Sequence, residues 1–99
     1  MNGTVKDMNG EYVKRTFTIR NKLGLHARAA SQFVQLANKF TSDILVAKSD
    51  QEVNGKSIMG ILILAATQGA EITVRAVGED AESALAALGA LIEDGFGED

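Results

Sequence analysis

The sequence predicts an α+β domain of two layers, with three helices on one face of a four-stranded sheet. Two observations carry that expectation. Apolar residues recur with period two in some segments and at three- and four-residue steps in others. Those segments follow in the order strand, helix, strand, strand, helix, strand, helix. Each strand has one apolar face and each helix one apolar stripe, and both can be buried only by packing one layer on the other. A chain of 99 residues makes one such domain around a single modest core.

Residues 1–11 show no period and read as a flexible N-terminal leader, with the domain spanning 12–99. From Val13 to Arg20 the pattern alternates. Val13, Phe17 and Ile19 fall on one face and Lys14, Thr16, Thr18 and Arg20 on the other, as in a half-buried strand. Asn21, Lys22 and Gly24 then break it. Helical spacing begins after His26, with Ala30, Phe33, Val34, Ala37 and Phe40 on one stripe. That predicts a helix over roughly 27–39 with His26 at or next to its N-cap.

Ile44 to Lys48 is an apolar, β-branched run, Ser49-Asp50 a turn, and Gln51 to Asn54 a short return strand. Ser57 to Gly69 reads as a second helix, with Ser57 as N-cap and Gly69 as the glycine just past its end. Its eight apolar residues, Ile58, Met59 and Ile61 to Ala66, would also suit a buried strand, but the caps, the alanine pair and the length favour a helix. Glu71 to Val77 alternates again, with Ile72, Val74 and Ala76 on one face. Asp80 then caps a last helix whose stripe is Ala84, Leu85, Leu88, Leu91 and Ile92. Gly95 ends it, and an acidic tail follows from Phe96 to Asp99.

Composition excludes several kinds of chemistry. An apolar fraction of 45% and a charged fraction of 23% are those of an ordinary globular protein. Without cysteine there are no disulfides, thiolate metal sites or cysteine nucleophiles, and one histidine cannot make a multi-histidine metal site, so no metal or cofactor is expected. There is no apolar signal-like region, and no apolar run long enough to span a bilayer, so a cytoplasmic protein without membrane contact is expected. Residues 1–60 carry nine Lys/Arg against five Asp/Glu, a balance of +4, and residues 61–99 carry one against eight, or −7. This polarity suits electrostatic steering of a protein partner. Five aromatic residues, none clustered with basic ones, make no platform for nucleic-acid bases.

The chemistry centres on Leu23-Gly24-Leu25-His26-Ala27-Arg28-Ala29-Ala30. A lone histidine is more often structural than reactive, but this one stands where a helix begins. The first backbone N–H groups of a helix lack intrahelical partners and face roughly half a positive charge, which suits a phosphate. The same field disfavours an imidazolium and leaves the ring nucleophilic. Arg28, in the first turn, can add charge-assisted hydrogen bonds to phosphoryl oxygens, about 1.5–3 kcal/mol each. Gly24 permits the tight turn that aims the ring outward. There is no aspartate–serine pair for hydrolysis and no second base to activate water. Such a site accepts a phosphoryl group and holds it, as a carrier does.

Ser57 is the second candidate. Asn54-Gly55-Lys56-Ser57 suggests a phosphate-binding loop, but that pattern needs a glycine where Asp50 stands, which rejects nucleotide binding. A plain helix cap is the simple reading of Ser57. The functional one is a phosphorylation site, because a phosphoserine at an N-cap is stabilised by the dipole and presents its charge to whatever docks there. Beside it, Ile58, Met59 and Leu62 are apolar residues in excess of what one buried face needs. They are the expected partner-facing patch, with the adaptable Met59 foremost.

These residues resemble the HPr family, the histidine-containing phosphocarriers of the bacterial phosphotransferase system. The likeness rests on the His26 motif together with Lys56-Ser57-Ile58-Met59-Gly60, and it covers roughly residues 13–96. The ending Gly95-Phe96-Gly97-Glu98-Asp99, with Asn21-Lys22-Leu23, is similar to the nitrogen-branch members of proteobacteria. The resemblance implies an open-faced β-sandwich whose antiparallel sheet has the order 1-4-2-3. It implies that His26 takes phosphate on Nδ1 from enzyme I, aided by Arg28, and passes it to an enzyme IIA domain. It implies that Ser57 matches the position modified by HPr kinase/phosphorylase, and that Ile58, Met59 and Leu62 match the docking surface. The family usually has proline where this chain has Ala29. A stoichiometric carrier, monomeric and without turnover of its own, is expected. The alternative is a module that regulates other proteins through Ser57, and a third reading is a small ligand-binding module, which would need a closed pocket.

Overall fold

A computed structural model describes Val5–Lys6 and residues 12–98. Its elements are β1 (Val5–Lys6), β2 (Tyr12–Thr18), α1 (Ala27–Ala37), β3 (Asp43–Lys48), β4 (Gln51–Asn54), α2 (Ile58–Leu64), β5 (Glu71–Val77) and α3 (Ala81–Glu93), then a short 3-10 turn at Gly95–Gly97. All strand pairs are antiparallel, in the order β1-β2-β5-β3-β4. The four longer strands thus lie in the order 1-4-2-3, with three helices over them. Of the stretch read as a leader, only Val5–Lys6 is described, and it pairs with Lys14 and Val13 as a fifth, two-residue strand. The remainder lies outside the described residues.

Register places the apolar faces together. Val13 stands opposite Ala76 and Phe17 opposite Ile72, while Val46 stands opposite Val74. All of these side chains are buried, beneath Phe33 of α1, Ile61 and Leu64 of α2, and Leu88 and Ile92 of α3. Full burial of each large apolar side chain contributes about 1.5–3 kcal/mol. Arg15 shares this face at its rim. Its guanidinium covers the Phe17 ring at 4.8 Å and pairs with Glu93 of α3 at 3.0 Å, keeping its charge outward while its stem screens the core. Gly89 lets α3 settle on the sheet, since a Cβ there would stand 2.7 Å from Phe17 Cε1 and Cζ.

Three expectations change in detail. The first helix closes at Ala37, two residues earlier than the spacing suggests, where the Asn38 side chain donates to the Val34 carbonyl at 2.9 Å. The second spans Ile58–Leu64 instead of reaching Gly69. Ala65 turns left-handed (φ 52°, ψ 39°), and Lys48 Nζ donates to the Leu64 carbonyl at 3.1 Å. Ala66 is buried and its carbonyl is taken by the Leu25 amide, so the chain leaves the helix to bind the loop before α1. Gly69 has its positive φ of 89° in the turn into β5, where its amide donates to the Ile19 carbonyl.

Asp80 stands at the N-cap of α3, but its carboxylate does not cap that helix. It accepts from the Thr41 and Ser42 amides at 2.9 Å each and from Ser42 Oγ at 2.5 Å, clamping the α1–β3 loop to the start of α3. The Ser42 hydroxyl and these amides lower the Asp80 pKa from 3.8 to about 2. A depressed carboxylate stabilises the fold above its unfolded value and ceases to as pH falls through the folded one. Urea midpoints should therefore drop between about pH 4 and pH 2. Asp80→Asn should lower the neutral-pH midpoint and flatten that part of the profile.

Candidate functional site

His26 is the N-cap of α1, with extended backbone (φ −71°, ψ 177°) and no side-chain capping bond. Its carbonyl accepts from Ala30 N at 2.8 Å, which starts the helix. Among the described residues the amides of Ala27, Arg28 and Ala29 meet no acceptor, as expected of a first turn. Arg28 is exposed and forms no ion pair among the described residues. Ala29, where the resemblance implies proline, is fully buried. Gly24 has φ 66°, and the turn it makes is closed by its own amide on the Asn21 carbonyl at 3.1 Å.

One side chain completes the site from the far end of the chain. Glu98 Oε2 lies 2.5 Å from His26 Nε2, with both side chains largely covered, at 28% and 15% exposure. The Asn21 amide, 3.0 Å from Glu98 Oε1, and then the His26 ring hold the Glu98 carboxyl below the usual carboxylate range. An ionised carboxylate can only accept, so Nε2 carries the proton. In the neutral ring the lone pair then sits on Nδ1, which has no hydrogen-bond partner among the described residues.

Sequence reasoning did not place Glu98 at this site. Its carboxylate is engaged at Nε2, on the opposite side of the ring from Nδ1. Asn21, read only as a strand breaker, is buried and grips both the Gly24 carbonyl at 2.8 Å and Glu98. The contacts with Glu98 have no local signal, since 77 residues separate it from Asn21 and 72 from His26.

Ser57 is the N-cap of α2, its Oγ accepting from Gly60 N at 3.1 Å. The neighbouring Lys56 is committed elsewhere, with Nζ donating to the Phe40 carbonyl at 2.7 Å. On α2, Met59 is 68% exposed, Ile63 56% and Ile58 42%, whereas Leu62 is half-buried against the core. Leu23, just before the histidine, is 69% exposed. Leu23 and Ile63 were not singled out by sequence: a loop residue has no period, and the helix was taken as apolar on nearly every side.

Among the described residues no group of three or more His, Cys, Asp or Glu side chains is placed to hold a metal, and no helix is long and apolar enough to cross a membrane. A cleft on the open sheet face at Thr16, Lys48 and Thr73, and another between Gln32, Gln35 and Leu91, open to solvent and are not lined by His26.

A family model described as the PTS HPr component phosphorylation site matches residues 13–94. The chain belongs to the HPr family. The phosphocarrier protein HPr of Xylella fastidiosa is 48% identical over 87 residues, covering 88% of this chain and 98% of that protein. The phosphocarrier protein NPr of Shewanella violacea is 40% identical over 86 residues, covering 87% and 94%. In structure, HPr of Thermoanaerobacter tengcongensis superposes with a TM-score of 0.84 at 51% identity, covering 87% of this chain and 97% of that one. Membership in the HPr family makes this chain a phosphocarrier of the phosphotransferase type.

Proposed function

We propose that His26 accepts a phosphoryl group on Nδ1 from phospho-enzyme I and hands it to an enzyme IIA domain. One observation carries this reading. The sole histidine has its Nε2 engaged by Glu98 and its Nδ1 unpartnered, at a helix start whose first amides are also without acceptors. In transfer the Nδ1 lone pair attacks phosphorus, the donor's own N–P bond breaks, and its electron pair stays on the donor. First-turn amides and the Arg28 guanidinium meet the charge on the phosphoryl oxygens. Leu23, Ile58, Met59 and Ile63 supply exposed apolar surface, which suits docking that must be released after each transfer. Incubating the chain with enzyme I and labelled phosphoenolpyruvate should add one acid-labile phosphate. Absence of that label rejects the reading, and running the reaction with enzyme I of the carbohydrate and of the nitrogen branch assigns the branch.

A second reading, regulation through Ser57, draws on the hydroxyl's place at the N-cap of α2 beside the same exposed patch. A phosphate there would face the helix N-terminus without unwinding it and would place about two negative charges beside the docking surface. HPr kinase with ATP should then label Ser57 and weaken binding to enzyme I. No label on Ser57 removes this reading and leaves the first untouched.

A further inference from the structure

We infer that the outer edge of β2 is a strand-addition surface for a second copy of this chain, and that β1 is the guard that keeps it closed. The inference is independent of the chemistry assigned to His26. The two edges of the sheet differ. At one side β4 has only the four residues Gln51–Asn54, of which Gln51, Glu52 and Asn54 are exposed. Shortness and charge are usual protections of an edge strand. At the other side β2 runs for seven residues, Tyr12–Thr18, in unbroken register with β5. It has no bulge, and the chain has no proline to interrupt it. Arg15, a charge that could deter pairing, is turned onto Phe17 and Glu93. A long, flat edge of this kind offers backbone N–H and C=O groups to any extended segment. β1 takes that place, with Val5 opposite Lys14 and Lys6 opposite Val13.

Symmetry explains how two residues can guard seven. Like edges of two copies pair antiparallel about a two-fold axis, so the same residues meet from both sides. With the axis at Arg15, Val13 of each copy stands opposite Phe17 of the other, Lys14 opposite Thr16, and Tyr12 opposite Thr18. Arg15 meets itself there, its charge drawn off by Glu93. This register matches apolar with apolar on the helix-bearing face, where Val13 and Phe17 are buried. β1 occupies the places beside Val13 and Lys14 on each copy, and so also those that Phe17 and Thr16 of the other would need. The register that avoids β1 pairs only Arg15–Thr18 with itself, shorter than the usual strand of about five or six residues. β1 also competes from a favoured position. Only residues 7–11 join it to β2, so it acts at an effective concentration on the order of millimolar, which a free second copy at micromolar concentration does not match.

The test compares the full-length parent with Val5→Pro/Lys6→Pro, in which β1 loses both of its amides, and with that variant carrying Thr16→Lys as well. Sedimentation should show the parent as a monomer and the double-proline variant dimerising at least about tenfold more tightly, the factor for roughly 1.4 kcal/mol. Thr16→Lys sets a second lysine opposite Lys14 on both sides of the axis. Like charges directly opposite oppose pairing, so it should return the double-proline variant to a monomer. Hydrogen exchange on dilute, monomeric protein reads the guard itself. The edge-facing amide of the Val13–Lys14 pair should be protected in the parent and exchange faster once the prolines are present. A double-proline variant no more associated than the parent would overturn the inference. So would a dimer that Thr16→Lys leaves intact, since its contact then lies elsewhere, or equal exchange at Val13 and Lys14 with and without the prolines.

Discussion

His26→Ala is expected to abolish the acid-labile label from enzyme I and phosphoenolpyruvate while leaving the fold intact. The chain has no other histidine to take its place. Helix α1 survives because the His26 side chain makes no capping bond, so it begins the same way with alanine at that position, and the loss is confined to the contact with Glu98, which keeps its bond to Asn21. Its backbone carbonyl still receives the Ala30 amide. The melting temperature should stay within about 5 °C of the parent, the effect of roughly 1 kcal/mol in a domain of this size. Arg28→Ala gives a graded comparison. Exposed and without an ion pair among the described residues, Arg28 acts on the resting fold only through a weak attraction to Glu98, so its removal should leave the melting temperature nearly unchanged. Transfer should slow by about ten- to a hundredfold, the factor for charge-assisted hydrogen bonds of roughly 1.5–3 kcal/mol. Rapid-quench labelling with enzyme I measures both. An equally labelled His26→Ala would remove the histidine from the mechanism.

Local pattern made most of this fold legible. Val13, Phe17 and Ile19 on β2, and Ile72, Val74 and Ala76 on β5, are buried as their alternation implies. Gly95, with φ 66°, ends α3 as a glycine should. The second helix misled because its end is set by a partner distant in sequence. The Leu25 amide needs the Ala66 carbonyl, and nothing in Ile61 to Ala66 reveals that need. Gly69 was rightly seen as a punctuation mark and wrongly assigned to the helix instead of to the turn before β5. Asp80 shows the same limit. Its position at a helix start was legible, whereas the destination of its carboxylate, the amides of Thr41 and Ser42, depends on how two loops meet.

At the candidate site the contrast is sharper. His26, Arg28 and Ser57 could be singled out because each belongs to a short motif at a helix start. Glu98 could not, because an acidic residue near the end of an acidic stretch carries no pattern at all. Its partner Asn21 looked like a loop residue, and loops generally run on the surface. Only the strained bend at Phe96 brings the two together, and a left-handed phenylalanine is not something a sequence announces.

Gly24→Ala should produce the largest loss of stability among single methyl additions near the site, about 2–5 kcal/mol, of which two causes can be separated. With φ 66° the backbone lies in the left-handed region, where any side chain is strained by about 1–2 kcal/mol. In addition, a Cβ there would stand 2.4 Å from the Ala66 carbonyl oxygen and 2.9 Å from Thr67 Cα, both backbone atoms that cannot swing aside. The displaced carbonyl is the acceptor for Leu25 N at 2.9 Å, so a buried hydrogen bond goes with it, worth about 1–3 kcal/mol once left unmade. Gly69→Ala isolates the first cause, since its φ is 89° and nothing lies within 4 Å of the added methyl. Urea unfolding should therefore place Gly69→Ala about 1–2 kcal/mol below the parent and Gly24→Ala well below both, with a melting temperature lower by about 15–30 °C. Equal losses at the two positions would show that strain alone is felt and that the 65–67 segment is not packed on the loop. If the packing holds, the same substitution shifts His26, two residues on. Enzyme I labelling of Gly24→Ala, measured well below its melting temperature, should then be slower than that of Gly69→Ala, tying the stability of this turn to the aim of the ring.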